Sequence, residues 1–239
     1  MKQFMILAIA MTVILMVSCN KSDNEATGTG DAIIVAKQSG TNTVYAISLF
    51  AYTYSTFQSV SATSSANASK TYTLVANQGF KTNFYYQPIE SEFTTTKPTI
   101  STFNFSAVFE NGVTQQFQDV LTDKVLPIPT LEKCEYVISN PVLEIYHELA
   151  LNWTAISDAS SYSISIYDGQ NLVFGSAELA NTVKTFYVSA TGGGWAVGFT
   201  PVSGKAYTVR LYAYLYEPNG GSFDVQALSY VEKSVVWGD

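Results

Sequence analysis

Ala206-Tyr207-Thr208-Val209-Arg210-Leu211-Tyr212-Ala213-Tyr214 sets Tyr207, Val209, Leu211 and Ala213 on one face and Arg210, Tyr212 and Tyr214 on the other. A two-residue period kept over this length belongs to a half-buried strand and not to a helix. Leu149-Ala150-Leu151-Asn152-Trp153 repeats the pattern, with Leu149, Leu151 and Trp153 sharing a face. So does Tyr162-Ser163-Ile164-Ser165-Ile166-Tyr167, which runs into a turn at Asp168-Gly169-Gln170-Asn171. From Ala32 onward no 3.6-residue period is found. Alternating runs are instead separated by clusters of Gly, Pro, Asn and Ser. That spacing predicts an all-β fold of two tandem antiparallel β-sandwiches.

These motifs, with Phe199-Thr200-Pro201 ahead of the Ala206 strand, resemble a fibronectin type III domain over residues 126–239. The family's second strand carries an inward Leu-x-Trp, its third a Tyr-x-Ile/Val-x-Ile/Val-Tyr, and its sixth a Tyr-x-Val-x-Val-x-Ala preceded by proline. The resemblance implies a corner hydrogen bond from the Tyr207 hydroxyl. The six steps from Pro201 to Tyr207 are longer than the family's usual spacing.

The first half reads as a second, immunoglobulin-like sandwich over residues 31–125. Its strand candidates are Ala32–Lys37, Val44–Tyr54, Lys70–Ala76, Lys81–Gln87, Ile100–Phe109 and Val113–Leu121. Phe103, Phe105, Ala107 and Phe109 share a face. A two-residue loop at Asn111-Gly112 would turn Phe117 away from that face. A three-residue loop with Gly112 in the left-handed bulge position returns it, and the bulge is the expectation. Pro127 and Pro129 disfavour a central strand and suit an extended connection, which sets the boundary at residue 126.

The start of the chain has a different chemistry. Lys2 precedes an apolar run from Phe4 to Val17, too short to span a bilayer, which ends at Ser18-Cys19. Residues 1–18 read as a lipoprotein signal peptide. Cys19 is the lipidation site, its thiol taking a diacylglycerol and its new amine an acyl chain. Two or three acyl chains at about 0.8 kcal/mol per buried CH₂ form a firm anchor. The loose box Met16-Val17-Ser18-Cys19 with Ser22-Asp23-Asn24-Glu25 after it resembles surface-exposed lipoproteins of the Bacteroidota. The resemblance implies a lipid-anchored place on the outer face of the cell outer membrane. Residues 19–30 read as a flexible polar tether.

Composition narrows the functions open to the chain. The 239 residues carry a net charge of −7. Loss of Lys2 with the signal leaves 11 basic against 19 acidic residues, a net −8. With Arg210 as its one arginine, the chain is poorly suited to bind nucleic acid. Cys134 is left without a disulfide partner once Cys19 is lipidated, and reads as a buried thiol.

Catalysis is disfavoured, and no cofactor or metal is expected. Nucleophilic catalysis wants a histidine base, and His147 stands alone. On a strand, Glu144, Tyr146 and Glu148 share a face and His147 points the other way, so a metal site is not formed. Glu90 with Glu92, and Asp119 with Asp123, are carboxylate pairs that glycoside hydrolysis would use, with nothing to place them at a working separation. Gly192-Gly193-Gly194 lacks the continuation of a phosphate loop and reads as a turn that presents Trp195 outward.

The ligand-binding candidates are Arg210, Tyr212, Tyr214, Tyr216 and Trp195. If Tyr207, Val209, Leu211 and Ala213 face the core, the three tyrosines form an outward strip about 13 Å long. Such a strip suits stacking on sugar rings or contact with a surface protein partner. The alternatives are packing against the first half, against a neighbouring strand or under the stem of Arg210. The expectation is a surface binding or spacer module with a glycan or protein ligand. The runner-up is a fimbrial subunit, because fimbrillin-like lipoproteins share a lipobox and two sandwiches. That resemblance implies cleavage after a basic residue and strand addition between subunits, with Lys37 the residue available for the cut.

Overall fold

Alternation of small or apolar with polar residues continues from Gly28 to Val236, and the computed structural model is correspondingly all-β. It describes residues 26–77, 79–139, 146–218 and 224–238. The signal segment and Cys19 lie outside the described residues. In the first half β1 is Gly28–Ser39, β2 Asn42–Thr53, β3 Phe57–Ser64, β4 Asn67–Asn77, β5 Phe80–Tyr86, β6 Ser101–Phe109 and β7 Thr114–Leu121. The second half holds β8 Thr130–Ser139, β9 Tyr146–Thr154, β10 Ser161–Asp168, β11 Asn171–Gly175, β12 Leu179–Ala180, β13 Thr185–Ser189, β14 Ala206–Tyr216 and β15 Val225–Val236.

The second half is a sandwich. β13-β9-β8 form one sheet, and β11-β10-β14-β15 form the facing part of the other, with β12 beside β10. Leu149, Leu151 and Trp153 of β9 meet Tyr162, Ile164 and Ile166 of β10 in one buried core, which Tyr207, Val209 and Leu211 complete. The Tyr207 hydroxyl accepts a hydrogen bond from the Val202 amide at 2.9 Å, so the corner forms despite the longer approach from Pro201.

The first half curls its strands in the order β1-β2-β5-β4-β3-β6-β7 around a core of Phe57, Phe84, Phe103, Phe105 and Phe109. β7 closes the curl against β1 through side chains. Gln115 Oε1 accepts from the Gly28 amide at 2.9 Å, and Asp119 Oδ2 accepts from the Ala32 amide at 2.6 Å. The β6–β7 hairpin has the expected bulge, since Phe105 pairs with Phe117, Gly112 has φ +83° and the two rings stack at 5.2 Å.

Two expectations need correction. The strand candidates do not include β3. Val60 and Ala62 nonetheless fill the core between β4 and β6. The tether does not reach residue 30: Ala26 is buried, and Gly28 and Gly30 pair with Thr53 and Ala51. Those glycines lack side chains because the Phe117 and Phe105 rings lie against them. A Cβ at Gly30 would stand 2.9 Å from both rings.

The two sandwiches are joined: β1 pairs in parallel with β15, matching Ile34 to Ala227 and Lys37 to Tyr230. One sheet therefore runs through both halves.

Candidate functional site

On the continuous sheet, the face opposite the two cores carries Val35 of β1, Tyr212 of β14 and Tyr230 of β15. These three form a small third cluster, with Tyr214, Leu228 and Phe93 packed against it. Phe93 comes from the chain between β5 and β6. That segment leaves the sheet at Gln87, forms a short 3₁₀ turn at Glu90–Glu92 and rejoins at Thr94, which pairs with Tyr45. Lys37 ties it down. The Lys37 side chain is 10% exposed, bonds Glu90 Oε2 at 2.5 Å and lies 4.4 Å over the Phe93 ring. The segment is thus a strap across the seam between the halves.

Between this strap and β10, β14 and β15 lies a cleft of about 750 Å³. Its walls carry aromatic rings from both halves (Phe93, Tyr167, Tyr212, Tyr230) and polar groups from Gln87, Glu90, Gln170, Thr208, Arg210 and Glu232. Arg210 is its centre. The guanidinium sits 4.4 Å over the Tyr167 ring and 5.3 Å from the Tyr230 ring, and its Nε donates to Glu232. Tyr167 and Tyr212 join hydroxyls at 3.1 Å. Burial, then the neighbouring Tyr167, raises the Tyr212 hydroxyl well above the ordinary phenol value, so it is a neutral hydrogen-bonding group. The lining is more polar than apolar, so the concavity offers aromatic rings set among many hydrogen-bonding groups.

The sequence candidates divide. Arg210 and Tyr212 line the cleft. Tyr214 and Tyr216 do not, and the open strip expected along β14 is not found. Tyr212 is 9% exposed under the strap's cluster, and Tyr214 and Tyr216 are half-buried. The physical reason is the neighbouring β10, whose outward Ser161 and Ser163 are small. The Tyr214 hydroxyl reaches Ser163 Oγ at 2.9 Å and the Tyr216 hydroxyl reaches Ser161 Oγ at 2.6 Å, so the rings lie down along the sheet. Burial and the bond to Glu178 push the Tyr216 hydroxyl up to about 12.

Trp195 is also not presented outward. Gly194 (φ +100°) brings the chain so close to β11 that a Cβ there would stand 2.7 Å from the Gly175 carbonyl oxygen. Trp195 then packs on Phe174 (5.0 Å), Trp237 (5.4 Å) and Phe199 (5.5 Å), and its Nε1 donates to the Ser189 carbonyl at 2.9 Å.

The carboxylates considered for hydrolysis are separately engaged. Glu90 pairs with Lys37, Glu92 with Lys70 at 2.7 Å and with the Tyr86 hydroxyl, and Asp119 with the Ala32 amide. His147 is exposed, 6.3 Å from the Tyr136 ring. Glu144 lies outside the described residues. Among the described residues, no group of three or more His, Cys, Asp and Glu is placed to hold a metal. Lys37, the residue a fimbrial cut would need, lies inside β1, paired with Val44 on one side and Tyr230 on the other.

Sequence reasoning missed Tyr167, Tyr230 and Phe93. Tyr167 and Tyr230 share Arg210's face once the registers Ser165↔Arg210 and Arg210↔Glu232 are known, and nothing local specifies those registers.

Fold and cleft together describe an all-β protein whose second half is fibronectin type III-like. No protein-family profile matches the chain, and a search of curated proteins gives no match either. Among solved structures, the CbhA fibronectin(III)-like modules of Clostridium thermocellum align over 87% of this chain and 92% of that chain, at 13% identity and a TM-score of 0.27. At that score the fold assignment rests on this chain's own Trp153, Tyr162 and Tyr207.

Proposed function

We propose that this protein is a lipid-anchored, non-enzymatic surface protein that binds a glycan in the cleft at the seam of its two sandwiches. The supporting observation is the Arg210 guanidinium between the Tyr167 and Tyr230 rings, ringed by amide, hydroxyl and carboxylate groups from both halves. Sugars present CH faces beside hydroxyl donors and acceptors, and this mixture of ring faces and polar groups is complementary to both. Glu90 is paired with Lys37 and Glu232 with Arg210, which among the described residues leaves no free cation in the cleft for an acidic glycan and favours an uncharged one. A protein partner is the weaker reading, since a concave site of this size suits a chain of a few sugar units better than a flat protein face. The anchor is Cys19, read from the lipobox, with acidic Asp23 and Glu25 after it.

Affinity electrophoresis through gels of neutral polysaccharides tests the reading. Retardation by at least one gel is expected, and Tyr167→Ala and Gln170→Ala should each abolish it. Tyr187→Ala, on exposed β13, should migrate as the parent does. No retardation in any gel, or retardation that survives both cleft variants, would overturn the proposal.

A further inference from the structure

Because β1 and β15 run in parallel, the molecule has two distinct poles. One holds the starts of both strands and the other their ends. The described chain enters at the first pole, where Ala26 is buried and Gly28 pairs with Thr53 at the end of β2. Around this entry the turns between strands carry exposed apolar side chains. Tyr54 is 91% exposed, Phe80 64% and Val113 45%. They belong to one surface. Tyr52 pairs with Asn83 across β2 and β5, the Glu110 amide donates to the Thr56 carbonyl at 3.1 Å, and Lys81 pairs with Glu110. That ion pair cancels charge beside the apolar tips, while Glu217 and Asp224 of the β14–β15 connection lie at the same pole on the second half.

We infer that this entry pole is a membrane-contact surface, on which Tyr54, Phe80 and Val113 rest in the headgroup layer of the bilayer that holds Cys19. The inference rests on the lipid-anchor reading and adds an orientation to it. Cys19 lies seven residues before Ala26, a span of at most about 25 Å when fully extended. β1 has 12 residues, so the opposite pole stands roughly 36 Å away. An anchor on that leash brings the entry pole to the lipid and leaves the far pole out of reach. Tyrosine suits the place, its ring entering the apolar boundary while its hydroxyl stays hydrated. A second copy of this chain is the competing occupant, but the leash belongs to the lipid. The far pole has exposed apolar residues too, Val197 and Val202, with no chain entering beside them. The cleft lies toward that pole, since Lys37 and Tyr230 are nine steps, roughly 30 Å, along from Gly28. Contact at the entry pole therefore turns the cleft outward.

The test uses the lipidated full chain in vesicles of phosphatidylethanolamine and phosphatidylglycerol, with a nitroxide label on Tyr54→Cys, Phe80→Cys or Val197→Cys, one at a time. Collisions with a water-soluble nickel complex should fall several-fold at 54 and 80 relative to 197, while collisions with oxygen rise. Equal nickel access at all three positions, with the protein still floating with the vesicles, overturns the contact and leaves the anchor standing. The same protection at 54 and 80 in a soluble Cys19→Ser protein assigns the pole to a second copy and also overturns it. A chain that does not float with vesicles at all removes the anchor reading, and this inference with it.

Discussion

Ile34 of β1 lies beside Ala227 of β15 in parallel register, and that pairing makes one sheet of what would otherwise be two linked modules. Ala227 is fully buried there, and Ser229 two residues on donates its hydroxyl to the Pro127 carbonyl at 2.7 Å, tying the connection to the same seam. The halves should unfold together in a single calorimetric transition. Ala227→Asp buries an unpaired carboxylate and should cost several kcal/mol, splitting or lowering that transition. Two independent transitions in the parent protein would show that the seam does not couple the cores.

Gly30 is a packing glycine. Gly30→Ala sets a methyl 2.9 Å from the Phe105 and Phe117 rings and should destabilise by about 1–3 kcal/mol, read from the urea midpoint. Gly175→Ala is the control, because nothing lies within 4 Å of a Cβ there, and it should change stability by less than about 0.5 kcal/mol.

Tyr207→Phe removes the acceptor of the Val202 amide while keeping the ring in the core. The half-buried amide loses its partner, and a loss of about 1–3 kcal/mol is expected in chemical denaturation. An unchanged midpoint would mean that water replaces the hydroxyl at no cost.

Asp31 makes stability fall as pH rises. It is buried at the seam, where its Oδ2 accepts from the Val225 amide at 3.4 Å, with Asp119 of β7 and Asp224 and Glu217 of the β14–β15 connection around it. Burial, reinforced by those three carboxylates against the amide bond, pushes its carboxyl up to about 8. The folded state therefore holds a proton that the unfolded chain has released above about pH 4. The contribution is whole below pH 4 and is lost progressively up to about pH 8, by at most about 1.4 kcal/mol per pH unit. Asp31→Asn keeps an acceptor for Val225 and should flatten melting temperature against pH between 5 and 8. A parallel fall in both proteins would assign the dependence elsewhere.

Period and turn chemistry were legible where neighbours in sequence are neighbours in space. Gly112 in a three-residue loop was enough to place Phe117 on the phenylalanine face, because a hairpin's register is local. The inward set Trp153, Ile164, Val209 and Leu211 followed from two-residue alternation alone. Glycine was ambiguous: in Gly28 and Gly30 the same residue type that marks a tether marks a ring lying on a strand. β3, with three serines and one threonine in eight residues, carries only a weak apolar alternation, and its place is set by pairing with β4 and β6.

The amino-acid sequence by itself determined an all-β chain, the core faces of its strands and the residue types offered as candidates. Only the tertiary structure decided that β1 joins β15, that the strap carrying Phe93 lies over Tyr212, and that Tyr167 and Tyr230 flank Arg210. The difference is one of range. A side chain's face is set by the backbone period at its own residue, whereas what covers that face depends on pairings between strands nearly two hundred residues apart.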